Sequence, residues 1–234
     1  MGILQDSCQL LFAGVNSVFL PPAKVTQERQ MGLQSRLIHR KMEFDQSRRE
    51  GAQVVLLRTL GSRLQVRVID SSVPVGQLLI LAEQPRHPLE VVKKEMDEVV
   101  AAFEEDWGRR RQIVARDATV RLLFATEDQH AFEYLWEERL HQSEGALQAL
   151  GRPVLGGGLR FVMPPGEEEF QIELKVESFL SDSAKLLLDT QCQWPEPEMQ
   201  DIRMHPAEMV QQVYDYARGP ALKFALGDAE RNER

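Results

Sequence analysis

Two short motifs pair a histidine with a glutamate three residues later, and this pairing could bind a metal ion or transfer protons. They are His87-Pro-Leu-Glu90 and His205-Pro-Ala-Glu208, and each one precedes an apolar helical pattern. Proline is favoured at the first position of a helix, and a glutamate two residues later can bond to a free backbone N–H. Its charge also suits the positive end of the helix dipole. The motifs therefore predict helix starts, and the sequence predicts no cofactor and no metal site.

A run of three glycines, in Leu155-Gly-Gly-Gly-Leu-Arg-Phe161, could be taken for a phosphate-binding loop. A Walker loop requires a Lys-Ser or Lys-Thr pair after its last glycine, and a dinucleotide loop leads into a helix. Here the glycines lead into a predicted strand, where glycine typically marks a bulge or a close approach of two backbones. The alternative is a ligand lying on the glycines. Its candidate binding residues are Gly156, Gly157, Gly158 and Arg160.

Charge differs sharply between two predicted helical regions. Residues 24–50 hold seven basic and four acidic residues, whereas residues 127–148 hold one basic and six acidic. Opposite charge favours contact between the two regions, or a head-to-tail contact between two molecules, although both can equally be solvated faces. The predicted partner-binding residues are Arg36, Arg40, Lys41, Glu133, Glu137 and Glu138.

Other chemical signals are weak, and the sequence predicts no catalytic residue. Arg109-Arg110-Arg111 follows three acidic residues and is typical of a solvated linker. His130 and His141 are too far apart on a helix to share a metal ion, since ligands on one helix face are usually four residues apart. No GxSxG, HExxH, DxDxDG or CxxC motif occurs.

The elements that would position these residues occur twice in the same order. Residues 170–177 alternate strictly between apolar and polar side chains, and residues 63–70 follow the same pattern as far as Val68, which indicates antiparallel strands with one buried face. A compact apolar run and a helix follow each of them. Upstream, each half has a strand, a helix (roughly 26–49 and 130–150) and one further strand.

This order predicts an α+β fold built of two tandem β-α-β-β-β-α units, related by a pseudo-two-fold axis. The sheets are expected to be mostly antiparallel, with helices covering one face. The units are predicted to span residues 1–112 and 113–226, with a charged junction at 104–111 and a frayed tail at 227–234. The two sheets either join edge to edge or pack with helices between them.

Composition limits the classes of partner. The net charge is −8, made up of +2 in residues 1–112 and −10 in residues 113–226 and the tail, which argues against nucleic acid. No apolar run is long enough for a membrane helix, so no membrane association is expected. Cys8 and Cys192 are expected to be free, buried thiols, which predicts a cytoplasmic protein, although a disulfide between them stays open.

The sequence thus predicts a non-enzymatic module for protein–protein interaction or assembly, binding a protein partner or another copy of itself. The alternative is a small-molecule binder or an enzyme that uses the cleft between the two halves, because ligand sites favour such interfaces.

Overall fold

The structure is a computed structural model that describes residues 3–70, 74–108, 111–127, 130–166, 170–195 and 203–227. Nine strands form one antiparallel sheet in the order β2-β3-β4-β5-β1-β6-β9-β8-β7. The strands are β1 (Gln9–Leu20), β2 (Gln46–Glu50), β3 (Gln53–Arg58), β4 (Arg63–Asp70), β5 (Gly76–Glu83), β6 (Gln112–Ala125), β7 (Gly158–Met163), β8 (Gln171–Ser178) and β9 (Lys185–Trp194).

The described residues also contain five α-helical segments. Two of them, the third and fourth in chain order, continue into π-helical segments. The helices are α1 (Gln27–His39), α2 (Leu89–Trp107), α3 (Ala131–Glu133), α4 (Pro206–Tyr216) and α5 (Leu222–Leu226). The predicted α+β class and the predicted antiparallel pairing of the strands are confirmed.

The centre of the sheet is the antiparallel pair β1–β6, with Val15 opposite Ala118. Strands from residues 9–83 lie on one side of this pair, and strands from residues 112–194 lie on the other. Of the two predicted arrangements, the strands therefore adopt the one in which they join edge to edge. The joining also pairs two long central strands that would otherwise be exposed edges.

Period-two alternation decides which face of the sheet is buried. Leu64, Val66 and Val68 of β4 are buried while Gln65 and Arg67 between them remain partly exposed. The buried side chains of all the long strands belong to one hydrophobic core that also includes the inner faces of α1, α2 and α4. Because antiparallel sheets tolerate one wet face, the opposite face keeps its polar side chains.

The predicted helix at 26–49 is too long, which is the first correction. The helix α1 ends at His39, and Lys41 then adopts a positive φ of 61°, a conformation that a helix cannot contain. The chain returns as β2, which pairs with β3 at the edge of the sheet. This strand has the sequence Gln-Ser-Arg-Arg-Glu, and its charged side chains suit an exposed edge. Because all five side chains are polar, the strand shows no alternation of apolar and polar residues in the sequence.

The predicted helix at 130–150 is wrong in most of its length. Only α3 is α-helical, and it continues into a π-helical segment, Tyr134–Arg139. His141 then takes a positive φ of 52°, and a separate 3-10 segment spans Glu144–Leu150. The sequence predicts that the apolar residues of this helix, Leu150 among them, are buried. The Leu150 side chain is instead 66% exposed.

The predicted capping role of the two His-Pro-x-Glu motifs is also corrected. Both motifs do open helices, α2 and α4, but neither helix has a side-chain cap from its own glutamate. Glu90 forms an ion pair with Lys93 instead. At α4 the free N–H of Ala207 donates to Asp97 Oδ1 of α2, at 3.3 Å. Each glutamate therefore stabilises its helix through its negative charge, which interacts favourably with the helix dipole in the first turn.

A glycine followed by proline, Gly219-Pro220, predicts the end of the C-terminal helix, but the helix continues beyond it. The chain passes from α4 through a π-helical segment, Ala217–Ala221, directly into α5. Proline lacks a backbone N–H, and a π-turn is one way in which a helix accommodates that missing donor. The predicted tail lies outside the described residues from 228 onward.

The predicted solvated junction at 104–111 is mostly helix and core. The helix α2 runs through to Trp107, whose ring lies 5.0 Å from that of Phe103.

Arg111 is buried against Phe19 and Phe103, with its guanidinium carbon 4.7 and 5.3 Å from their ring centroids. It donates to the carbonyls of Pro21 and Trp107. Burial lowers the pKa of Arg111 below its ordinary value. Arg109 and Arg110 lie outside the described residues.

Two smaller predictions concern the membrane and the thiols. Among the described residues, no helix combines the length and the apolar character needed to cross a membrane. Cys8 and Cys192 do not form a disulfide; Cys192 is buried, whereas Cys8 is only partly buried. Burial raises the pKa of the Cys8 thiol, so at neutral pH it is protonated and weakly nucleophilic.

Candidate ligand-binding cavity

Two irregular segments of the chain enclose a half-open cavity of about 690 Å³. One wall is the stretch from His130 to Glu137, and the facing wall is the stretch from Leu147 to Val154. The volume lies within the range typical of sites for small molecules. The cavity is lined by His130, Phe132, Glu133, Trp136, Glu137, Leu147, Gln148, Gly151, Arg152, Pro153 and Val154.

An aromatic pair forms part of the first wall. The rings of Phe132 and Trp136 are nearly parallel, at 23°, with centroids 6.0 Å apart. The indole is held in place because Trp136 Nε1 donates to the carbonyl of Ser143 at 3.0 Å. These rings offer flat apolar surface to a ligand.

The π-helical segment behind this wall is fixed by the C-terminal helix. The hydroxyl of Tyr134 donates to the carbonyl of Ala225 at 2.6 Å, and Arg139 Nη2 donates to the carbonyl of Phe224 at 2.8 Å. Both acceptors lie in the last turn of α5, where helix carbonyls lack partners within the helix. The wall is therefore anchored to α5, which belongs to a different part of the sequence.

Four ionisable side chains line the cavity: His130, Glu133, Glu137 and Arg152. Nδ1 of His130 is buried and has no hydrogen-bond partner among the described residues. Imidazole and carboxylate groups can transfer protons to or from a bound molecule. The cavity therefore suits binding and proton transfer.

The glycine run lies directly beneath the aromatic wall. A side chain at Gly157 would meet the Phe132 ring at 2.9 Å, so the ring rests on this glycine. The N–H of Gly157 donates to Ser178 Oγ at 3.0 Å. A side chain at Gly156 would similarly meet the side chains of Leu180 and Ser178. Gly158 begins β7 and lies against the backbone of β8. None of the three lines the cavity itself, and Arg160 forms an ion pair with Glu173 on the open face of the sheet.

The predicted partner-binding residues separate into two groups. Arg36 and Arg40 form ion pairs with acidic residues of α2, with Arg36 Nε 2.8 Å from Asp106 and Arg40 Nε 3.1 Å from Glu98. Both also contact Glu105, and Lys41 is exposed at the turn after α1. The basic charge of α1 is thus matched within its own half of the chain. Glu133 and Glu137 line the cavity, whereas Glu138 does not.

Replacing Arg40 with glutamine is expected to shift the titration of Glu105 to higher pH. A hydrogen bond from Arg40, followed by the charges of Arg40 and Arg36, lowers the pKa of Glu105. Carboxyl carbon NMR shifts recorded from acid to neutral pH measure the change. The matched control is Lys41→Gln, which removes a neighbouring charge without a contact to Glu105. An unchanged Glu105 titration in Arg40→Gln contradicts the pairing.

For several lining residues the sequence predicts a different role. It predicts that Phe132 and Trp136 are buried on a regular helix, and that His130 and His141 share no metal ion. The facing wall contains Gly151 and Pro153, two residues that commonly interrupt helices. That pair was the available signal that the second half does not repeat the regular helix of the first.

No family model matches the chain, and no curated protein matches it in sequence. Among solved structures, the chain is similar to the di-domain ARO/CYC StfQ from the steffimycin biosynthetic pathway, at 11% sequence identity and a TM-score of 0.23. The superposition covers 94% of this chain and 98% of that chain. Similarity at this level does not define the fold or the activity of this chain.

The prediction of a non-enzymatic interaction or assembly module is wrong. A cavity of about 690 Å³ lined by aromatic and ionisable side chains agrees better with the alternative, a small-molecule binder or enzyme. The location given for that alternative also changes. All residues that line the cavity lie between 130 and 154, within the second predicted half, rather than in a cleft between the halves.

Proposed function

We propose that this protein binds a small organic molecule in the cavity between residues 130–137 and 147–154. The observation that carries the proposal is the combination of volume and lining: about 690 Å³, with two ordered aromatic rings and four ionisable side chains. Ligand sites are typically concave and partly apolar, with a few polar groups that fix orientation.

Local packing supports a preformed site. The aromatic wall is held from behind by α5 and from below by Gly157, and the indole is oriented by Ser143. A wall held in this way loses little conformational freedom when a ligand binds, which favours affinity.

Filling the cavity is expected to abolish binding of a neutral apolar probe. N-phenyl-1-naphthylamine fluoresces on entering an apolar site, and titration of the protein with this dye gives its affinity. Val154→Trp places an indole in the cavity and is expected to weaken binding at least tenfold, because the occupied volume is lost. The matched control, Val162→Trp, lies on β7, where the side chain is 57% exposed, and is expected to bind as the unmodified protein does. Equal binding by both variants contradicts the proposal.

An enzyme acting by proton transfer is the second candidate. The observation in its favour is the buried Nδ1 of His130, which has no hydrogen-bond partner among the described residues and belongs to a residue lining the cavity. Glu133 on the same wall is a second group of suitable chemistry. In this case His130→Gln would remove turnover of a bound substrate while leaving dye binding in place.

We further propose that the chain arose as two tandem units, residues 1–112 and 113–226, related by a pseudo-two-fold axis. In support, β1 and β6 pair antiparallel at the centre of the sheet, and each is followed by a helical segment, further strands and a long helix. The proposal gives the halves different roles. The first retains two regular helices over a filled core, while the second has the irregular segments that open the cavity.

We infer a cytoplasmic location because Cys8 and Cys192 are not joined by a disulfide, which suits a reducing compartment. A protein partner or self-association remains a proposal for the charges at Lys41, which is exposed, and Glu138, which is partly exposed.

A further inference from the structure

We propose that the cavity selects a planar aromatic cation, with its ring against Trp136 and its positive charge beside Glu133 and Glu137. This inference rests on the proposed function, because it names the class of ligand that the same cavity takes. Two features of the lining carry it: the shape of the aromatic wall and the sign of the charge beside it.

The aromatic wall favours a flat ligand. Phe132 and Trp136 are inclined by only 23°, so their faces lie along one direction instead of closing around a bulky group. A ring system placed against the indole gains offset-stacking energy, and a cationic one also gains from the negative face of the indole. The hydrogen bond from Trp136 Nε1 to Ser143 fixes the orientation of that face.

The carboxylates beside this wall favour a positive charge. Glu133 and Glu137 stand four residues apart and flank Trp136 in the sequence, and both are exposed toward solvent. Within the described part of the chain, neither forms an ion pair. Besides His130, the lining holds two acidic side chains and one basic side chain, that of Arg152 on the facing segment.

The charge of the surrounding chain has the same sign. Residues 113–234 hold 12 basic and 22 acidic residues, a net charge of −10. Such a field raises the local concentration of cations and lowers that of anions, and this effect weakens as salt is added. An anionic ligand would have to approach against this field and then lie beside two carboxylates.

Three dyes of different charge test the inference by fluorescence titration. Proflavine is a planar cation at neutral pH, N-phenyl-1-naphthylamine is neutral, and 1-anilinonaphthalene-8-sulfonate is the same neutral skeleton with an anionic sulfonate. We expect proflavine to bind most tightly and the sulfonate most weakly. We also expect the affinity for proflavine, but not for the neutral dye, to fall as salt rises.

Removing the carboxylates separates charge from shape. Glu133→Gln and Glu137→Gln are each expected to weaken proflavine binding about fivefold, roughly the value of one contact between opposite charges in a solvated site. The neutral dye should bind the double variant with unchanged affinity. Glu138→Gln is the matched control, since it removes the same charge from the same segment but does not line the cavity.

The outcomes distinguish this inference from the proposed function. Unchanged proflavine binding in the double variant, or equal affinity for the neutral and anionic dyes, overturns the cation selectivity while the cavity remains a ligand site. If Val154→Trp leaves the binding of every dye unchanged, the cavity is not the binding site and both proposals fail. A loss of proflavine binding in Glu138→Gln equal to that in Glu137→Gln also overturns the inference, because the effect is then not local.

Discussion

Replacing Phe103 with alanine is expected to lower the free energy of unfolding by about 4 kcal/mol, as is typical for removing a fully buried phenylalanine. Its side chain is completely buried at the centre of the first half, with ring centroids 5.5 Å from Phe19 and 5.0 Å from Trp107. The loss combines the transfer of the ring from the core with the hole that it leaves. Arg111 is affected too, because its guanidinium lies over this ring and would face the hole.

Urea denaturation followed by tryptophan fluorescence measures this change. Phe224→Ala is the matched control, since Phe224 is 37% exposed and is expected to cost less than half as much. If Phe103→Ala does not accumulate as folded protein, Phe103→Leu keeps most of the volume and is expected to cost about 1 to 1.5 kcal/mol. A loss below 1 kcal/mol in Phe103→Ala would mean that this core is not closely packed.

Replacing Gly158 with alanine is expected to cost about 3 kcal/mol, within the range for a substitution that strains the backbone. A β-carbon at this position would overlap the carbonyl oxygen of Val176 and lie 2.6 Å from the α-carbon of Glu177. Both atoms belong to the backbone of β8, so no side-chain rotation relieves the contact. The strand β7 would have to move away from its partner at this end.

Gly166→Ala provides the control, because a β-carbon there meets nothing within 4 Å. This variant is expected to differ from the unmodified protein by less than 0.5 kcal/mol, as for most surface substitutions. Thermal unfolding monitored by circular dichroism compares the two. Equal stability of the two variants would argue that β7 adapts to the side chain, and that close backbone approach is not the reason for glycine at position 158.

The alternating strands and the apolar faces of the long helices follow from the sequence alone. Residues 63–70 are the clearest example, since the predicted and observed strands coincide. The reason is local: successive side chains of a strand point to opposite faces, so a half-buried strand leaves a pattern with a period of two. The apolar stripe of α2 has the same local origin, with a helical period.

The cavity was decided by tertiary contacts. The sequence of residues 130–150 contains an apolar pattern that resembles a helix, yet Tyr134 and Arg139 bond to the carbonyls of α5, roughly 90 residues away. These contacts hold a π-helical segment where a regular helix was predicted. Contacts between residues so far apart along the chain produce no periodic pattern in the sequence. Neither Tyr134 nor Arg139 departs from the residue types expected in a helix.

The partners of the charged side chains were likewise decided by tertiary packing. The acidic and basic character of the two helical regions is evident in the sequence, but their partners are not. The basic residues Arg36 and Arg40 face α2, whereas Glu133 and Glu137 face a cavity. The sequence pattern does not show which residue a charged side chain will pair with, since many pairings of exposed charges have about the same free energy in water. The sequence thus determined the alternating strands and their buried face, and only the packing of distant segments placed an aromatic and acidic wall around an open volume.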